Sequence, residues 1–200
     1  MGMRERNRRA AMVHIQDVGI ELFEKSGFAT TSVQDIAAAA QVSESSIYRY
    51  FGGKGGILVW EPLDSLFEEE LSSRLGLLPI LRAAEEGFAA AFSRMDSAQR
   101  KSLLARTRIA KRSPEAASAV LAQFQADADE LATAFAKTLG MRRRTNPRPA
   151  LLARVVLECV DLALDRWQAS GRPTLGLGGR ASLPLLVAES FAALRDLPEL

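Results

Sequence analysis

Apolar residues recur at three- and four-residue spacing along most of this chain, a rhythm that predicts helices rather than strands. Ile15, Val18, Leu22 and Phe23 mark the inner face of a first helix that opens near Arg8 and stops at Gly27. Val33, Ile36, Ala37 and Ala40 repeat the pattern. Ser32 stands before them as an N-cap, and Asp35 completes a carboxylate version of the capping box. Gln41-Val42 interrupts the rhythm. Ser43 then caps a short third helix through Tyr50, with Ile47 and Phe51 facing inward. Gly52-Gly53 is a turn, and Lys54 opens a fourth helix expected to reach Leu75 through Ile57, Leu58, Phe67 and Leu71. Pro62 lies inside that pattern and predicts a kink, because proline deletes a backbone hydrogen bond.

Past Gly76 and Pro79 the spacing predicts five more helices, over 80–93, 97–112, 114–139, 149–170 and 181–195. Pro114 and Pro149 fall at helix starts, where proline is tolerated. Arg-rich 142–148 and Gly-rich 171–180 are loops. Two helices are unusually apolar. In 149–167 the charges Arg154, Glu158, Asp161 and Asp165 form one narrow stripe, which predicts burial on more than one side. Helix 181–195 carries Leu183, Leu185, Leu186, Val187, Phe191 and Leu194. One face of each can cover the core, and a second copy of the chain is the simplest cover for the other.

Composition narrows the chemistry. The 200 residues are 48% hydrophobic and carry a formal net charge of only +2, so any affinity for nucleic acid must come from local patches. One cysteine, Cys159, excludes an internal disulfide, and with the single His14 it cannot build a zinc site of the usual kind. The two supply neither a serine nor a cysteine triad. No catalytic residue, metal site or cofactor is expected, and the chain reads as a non-enzyme. The N-terminal MGMRERNRRA lacks the apolar stretch of a signal peptide, and no apolar run approaches a membrane span, so a cytoplasmic protein is expected. Gly176-Leu-Gly178-Gly179 follows no strand and is no dinucleotide loop; Gly53-Lys54-Gly55 lacks the rest of a P-loop.

Function concentrates between Thr31 and Lys54. Two short helices joined by a tight turn fit a helix-turn-helix. Glu44, Ser45, Ser46, Tyr48 and Arg49 are small or polar and point away from Ile47 and Phe51. Such residues let a helix approach a DNA groove and bond phosphates or base edges. Tyr50 and Lys54 extend that surface, and the basic arm Arg4, Arg6, Arg8 and Arg9 adds counterion-release affinity. On these grounds alone, the same helix reads equally well as an exposed surface helix.

Residues 22–58, LFEKSGFATTSVQDIAAAAQVSESSIYRYFGGKGGIL, resemble the N-terminal signature of the TetR family. Leu22, Phe23, Gly27, Phe28, Thr31, Ile36, Ala37, Ala40, Val42, Ser43, Tyr48, Tyr50, Phe51, Lys54 and either Leu58 or Ile57 fall in its register. Gln41 replaces the usual turn glycine, and Gly55-Gly56 replace an acidic pair. The resemblance implies an all-α protein with an N-terminal three-helix helix-turn-helix domain, residues 1–53, and a C-terminal six-helix ligand-binding and dimerisation domain, residues 54–200. It implies that Thr31, Ser43, Tyr48, Tyr50 and Lys54 face phosphates, and that Gln34, Glu44, Ser45, Ser46 and Arg49 reach base edges. Arg49 suits guanine, whose O6 and N7 a guanidinium can bond together. Glu44 either reads a cytosine amino group or simply favours the helix N-terminus as an anion. Further implications are double-stranded DNA bearing a palindromic operator, a homodimer through helices 149–170 and 181–195, and a small-molecule effector. Composition nominates Phe67, Phe88, Phe92, Leu103, Arg106, Phe124, Cys159 and Trp167 for an effector pocket, although an apolar stripe is more often plain core. The resulting expectation is a repressor released from its operator by an effector. The alternative is a helical small-molecule-binding protein that does not bind DNA.

Overall fold

The computed structural model describes residues 2–61, 64–170 and 182–196, and among these the chain forms ten α-helices. They are α1 Met3–Ser26, α2 Val33–Ala39, α3 Glu44–Phe51, α4 Lys54–Val59 and α5 Asp64–Ser72, then α6 Ile80–Ser93, α7 Ser97–Arg112, α8 Pro114–Thr138, α9 Arg148–Ala169 and α10 Leu183–Arg195. No helix among the described residues is long and apolar enough to cross a membrane. The 171–180 segment and Pro62 lie outside the described residues, as does the first residue of the 181–195 span.

Two boundaries differ from the sequence expectation. Helix α1 begins at Met3 rather than Arg8, so the arginines of the expected arm are helical residues. The fourth helix does not continue to Leu75. Trp60 adopts φ −58° and ψ 126°, outside the helical region, and α5 begins afresh at Asp64. A residue preceding proline is pushed toward extended backbone, so ending the helix before position 62 is the alternative to bending it. Apolar periodicity alone does not separate those outcomes. Among the described residues, seven helices therefore follow α3, not six.

The helices gather into two compact units, Met1–Pro62 with Ala98–Gln123, and Leu63–Ser97 with Phe124–Leu200. In the first, Ile15, Ile20, Phe23, Phe28, Val33, Ile36, Ile47, Ile57 and Leu58 share one core with Ala105 and Ile109 of α7 and Ala116 of α8. That shared core explains why residues 98–123 belong with the N-terminal helices. In the second unit, α6 packs against α5, α9 and α10. Phe67, Phe88 and Phe92 form an aromatic cluster with centroid separations of 5.2–6.4 Å. Phe135, Val156, Ala163, Trp167, Val187 and Phe191 are among the other buried residues of this unit.

One close approach in the first unit depends on glycine. A Cβ at Gly56 would lie 1.8 Å from the carbonyl oxygen of Phe51. Backbone on both sides leaves no flexible side chain to give way. Gly56→Ala is therefore expected to destabilise the protein by about 2–3 kcal/mol through overpacking. A thermal or urea unfolding curve that matched the unsubstituted protein would contradict that approach.

Candidate nucleic-acid interface

Local chemistry sets both short helices of the helix-turn-helix. Ser32 Oγ accepts from the Asp35 amide at 3.0 Å, and Asp35 Oδ2 accepts from the Ser32 amide at 2.9 Å, so the capping box is complete. The hydrogen bond from Ser32 also holds the Asp35 carboxyl below its ordinary pKa. Ser43 caps α3 by accepting from the Ser46 amide at 3.2 Å. Between the helices, Gln41 takes φ +55°, the left-handed region in which glycine is the comfortable residue. The turn is held regardless. The Val42 amide donates to the Ala37 carbonyl at 3.0 Å, and His14 Nε2 lies 3.2 Å from the Ala40 carbonyl.

Helix α4 fixes the back of this arrangement through both of its ends. Lys54 Nζ donates to the carbonyls of Phe28, Ala29 and Thr31 at 2.9, 3.1 and 3.3 Å. It also sits 4.8 Å from the Phe28 ring centroid and 3.6 Å from the Glu115 carboxylate. At the other end, buried Gln16 donates to the carbonyls of Ile57 at 2.9 Å and Trp60 at 2.6 Å. Arg106 donates to the same Trp60 carbonyl at 3.0 Å and to Glu61 at 2.6 Å.

Placed on this frame, the residues singled out in the sequence separate into two groups. Thr31 is buried, and its hydroxyl donates to the Gly27 carbonyl at 2.7 Å. Lys54 is committed to three carbonyls. Both groups hold the fold before any phosphate is considered. The others share an outer surface. Gln34 Nε2 donates to Glu44 Oε2 at 2.7 Å. Ser43 Oγ lies within 2.9 Å of the hydroxyls of Ser45 and Ser46. Arg49 donates to the Tyr50 hydroxyl at 3.2 Å and stacks 4.8 Å from the Tyr50 ring centroid, with Arg8 at 6.0 Å from the same ring. Tyr48 is 52% exposed, while Ile47 of the same helix is fully buried. The reading helix thus presents hydroxyls, a carboxylate and a guanidinium outward from an apolar anchor.

Sequence reasoning overlooked Gln16, although a signal existed. It occupies a polar position within the buried stripe Met12, Ile15, Gly19, Ile20 and Phe23, where a glutamine needs partners. The effector-pocket candidates divide between the units: Leu103 and Arg106 belong to the first, the other six to the second. Arg106 already has Glu61 and the Trp60 carbonyl. Phe67, Phe88 and Phe92 stand together; Cys159 is buried beside the Ser190 carbonyl, with burial raising its thiol pKa. Trp167 is 1% exposed, and its indole N–H has no hydrogen-bond partner among the described residues.

A capped helix, a tight turn and a second capped helix with a polar outer face form a helix-turn-helix, the unit with which many regulators meet DNA. Residues 15–59 match the family model for bacterial regulatory proteins, tetR family. Over 168 residues the chain is 28% identical to a candidate mycofactocin biosynthesis transcriptional regulator, MftR, of Mycobacterium tuberculosis; the match spans 81% of this chain and 82% of that one. Over 88 residues it is 33% identical to the HTH-type transcriptional repressor DhaR of a Mycobacterium species, spanning 42% of this chain and 44% of that one. A solved TetR-family regulator from Mesorhizobium loti aligns over 93% of this chain and 95% of its own, with 18% identity and a TM-score of 0.47. Residues 15–59 thus match the DNA-binding segment of the tetR family, and the chain is similar over most of its length to a transcriptional regulator.

The left-handed Gln41 supplies a direct test of the turn. A non-glycine residue there costs about 1–2 kcal/mol, and glycine returns part of that gain by loosening the unfolded chain. Gln41→Gly should raise stability by up to about 1 kcal/mol. If equilibrium unfolding showed a loss instead, the Gln41 side chain would be contributing contacts that outweigh the backbone strain.

Proposed function

We propose that this regulator is a homodimeric repressor that binds a palindromic operator and is released by a small-molecule effector. Residues 1–53 act as the reading head, and residues 54–200 carry effector binding and dimerisation. The observation that carries the reading is α3: buried Ile47 beneath an exposed Glu44, Ser45, Tyr48 and Arg49. Ser43, Tyr48 and Tyr50 are assigned to phosphates, with Thr31 and Lys54 holding the loop behind them. Gln34, Glu44, Ser45, Ser46 and Arg49 are assigned to base edges.

The dimer reading rests on α9 and α10. Leu151 and Leu162 of α9 are 63% and 50% exposed, and Leu185 of α10 is 43% exposed. Arg154, Glu158 and Asp161 are exposed alongside the two α9 leucines. A face mixing large apolar side chains with charges suits association of two folded copies. A two-fold dimer would present two reading heads, which matches a palindrome. For the effector, Phe67, Phe88, Phe92, Phe124, Cys159 and Trp167 are the candidates in the second unit, with Leu103 and Arg106 in the first.

Gel shifts on the DNA flanking the protein's own gene, run over a salt series, test the regulator. A sequence-selective complex is expected, with affinity falling steeply as salt rises because arginines displace counterions from phosphates. A ligand that binds without any selective DNA complex at any salt would favour the alternative of a small-molecule-binding protein. Light scattering on the Leu151→Asp, Leu162→Asp double variant tests the interface. Monomers with operator affinity reduced at least about tenfold are expected, since each charge would have to be buried without a partner. A variant that remained dimeric would place the interface elsewhere.

A further inference from the structure

The arginine-rich segment between α8 and α9 is a loop in the sequence reading and a built turn in the structure. It belongs to the second unit, whereas the helix-turn-helix belongs to the first. Just past α8, Gly140 takes φ +62°, and the Met141 amide donates back to the Ala136 carbonyl at 2.9 Å. The amides of Thr145 and Asn146 both donate to the Arg142 carbonyl at 3.1 Å, which closes the turn. Asn146 Oδ1 then accepts from the Arg148 amide at 2.9 Å as α9 begins. Arg143 fastens the turn to α8 by donating to Asp129 at 2.6 Å and to the Thr133 hydroxyl at 2.7 Å.

Arg143 has a structural task; the other three arginines of the turn have none. Arg142, Arg144 and Arg148 are exposed, and their guanidinium groups meet no acceptor among the described residues. From Leu131 to Leu157 the chain contains no aspartate or glutamate. Arg148 is also placed against stability. It is the first residue of α9, where the helix macrodipole favours an anion, and no acidic residue stands in that first turn. Three exposed like charges on one fixed turn repel one another, and a polyanion would relieve that repulsion.

The composition of the patch selects among polyanions. Guanidinium forks bond phosphate oxygens in pairs. Residues 140–148 include no aromatic ring on which an unpaired base could stack. They also present no large exposed apolar side chain of the kind that enters a lipid surface or fills the core of a protein interface. The phosphates of a duplex require neither. We propose that Arg142, Arg144 and Arg148 form a second contact with duplex DNA, sequence-independent and outside the helix-turn-helix. The inference rests on the DNA-binding role proposed above, which brings duplex DNA to the protein.

The experiment follows binding of a long mixed-sequence duplex by fluorescence anisotropy over a salt series. The proteins are the full-length chain, the triple variant Arg142→Ser, Arg144→Ser, Arg148→Ser, the same triple to lysine, and the head variant Arg49→Ala. The serine triple should lower the salt slope by about 2–3 and weaken low-salt binding at least about tenfold. The lysine triple should keep most of both, and all variants should melt close to the parent. An unchanged slope in the serine triple would overturn the proposal. A markedly lower melting temperature, or loss of a dimer on light scattering, would overturn it in favour of a structural or interface role. Loop-dependent binding to phosphatidylserine vesicles, with none to the duplex, would assign the patch to a lipid surface instead. A slope that falls only for Arg49→Ala would remove the loop contact and leave the reading head standing. Absence of duplex binding by the unsubstituted protein at every salt would sink both.

Discussion

The Lys54 ammonium is the contact on which the reading head depends. Its hydrogen bonds to the carbonyls of Phe28, Ala29 and Thr31 satisfy backbone acceptors in the loop between α1 and α2. Fixing that loop fixes Ser32, and with it the start of α2 and the turn that aims α3. Helix α4, which carries the lysine, has only six residues. A helix of that length is unstable alone and needs tertiary support. It receives that support at its other end, where Gln16 and Arg106 take the carbonyls of Ile57 and Trp60. Gly56 lets its backbone lie against Phe51. The contribution of α7 to the first unit follows from the same arrangement: Arg106 reaches the Trp60 carbonyl just past the end of α4, while Ala105 and Ile109 enter the shared core.

How much of this could be read from the chain depended on the range of each interaction. Ser32 with Asp35 and Ser43 with Ser46 act across three residues, and spacing alone located both caps. Helices 80–93 and 97–112 were legible for the same reason, being bounded by local breaks. The span 54–75 was misjudged because Ile57, Leu58, Phe67 and Leu71 keep helical phase whether the helix bends or stops. Only the backbone at Trp60 decides between those outcomes. The role of Lys54 was harder still. Its acceptors lie more than twenty residues upstream and are backbone atoms, which no residue pattern reports.

The reading surface shows the same division. Resemblance marked the positions, and the exposure of Tyr48 above buried Ile47 agrees with the outward face expected for α3. The resemblance did not disclose which groups are already engaged. Thr31 and Lys54 bond carbonyls, Gln34 is tied to Glu44, and Arg49 lies against Tyr50. A surface whose side chains are pre-paired loses less rotamer freedom on binding than one built from free chains. It also narrows the chemistry on offer, because each internal hydrogen bond consumes a donor or an acceptor that a base edge would otherwise meet. For Arg49, a bidentate contact with guanine must compete with the Tyr50 hydroxyl and ring.

Helices α9 and α10 refine the sequence reading of a doubly apolar pair. Ala153, Val156, Val160, Ala163 and Trp167 form the buried side of α9, against Leu183, Leu186, Val187 and Phe191 of α10. The charged stripe lies on the opposite side, but it is not the whole of that side, since Leu151 and Leu162 share it. Arg166 and Glu189 join the two helices across their exposed edges at 2.6 Å. With α9 and α10 tied in this way, the exposed Leu151, Leu162 and Leu185 are carried on one packed helix pair rather than on two independent helices. That matters because an interface that forms between folded copies must not first order its own side chains. In the proposed dimer, the charges interspersed among the leucines would set the orientation in which a second copy meets that surface.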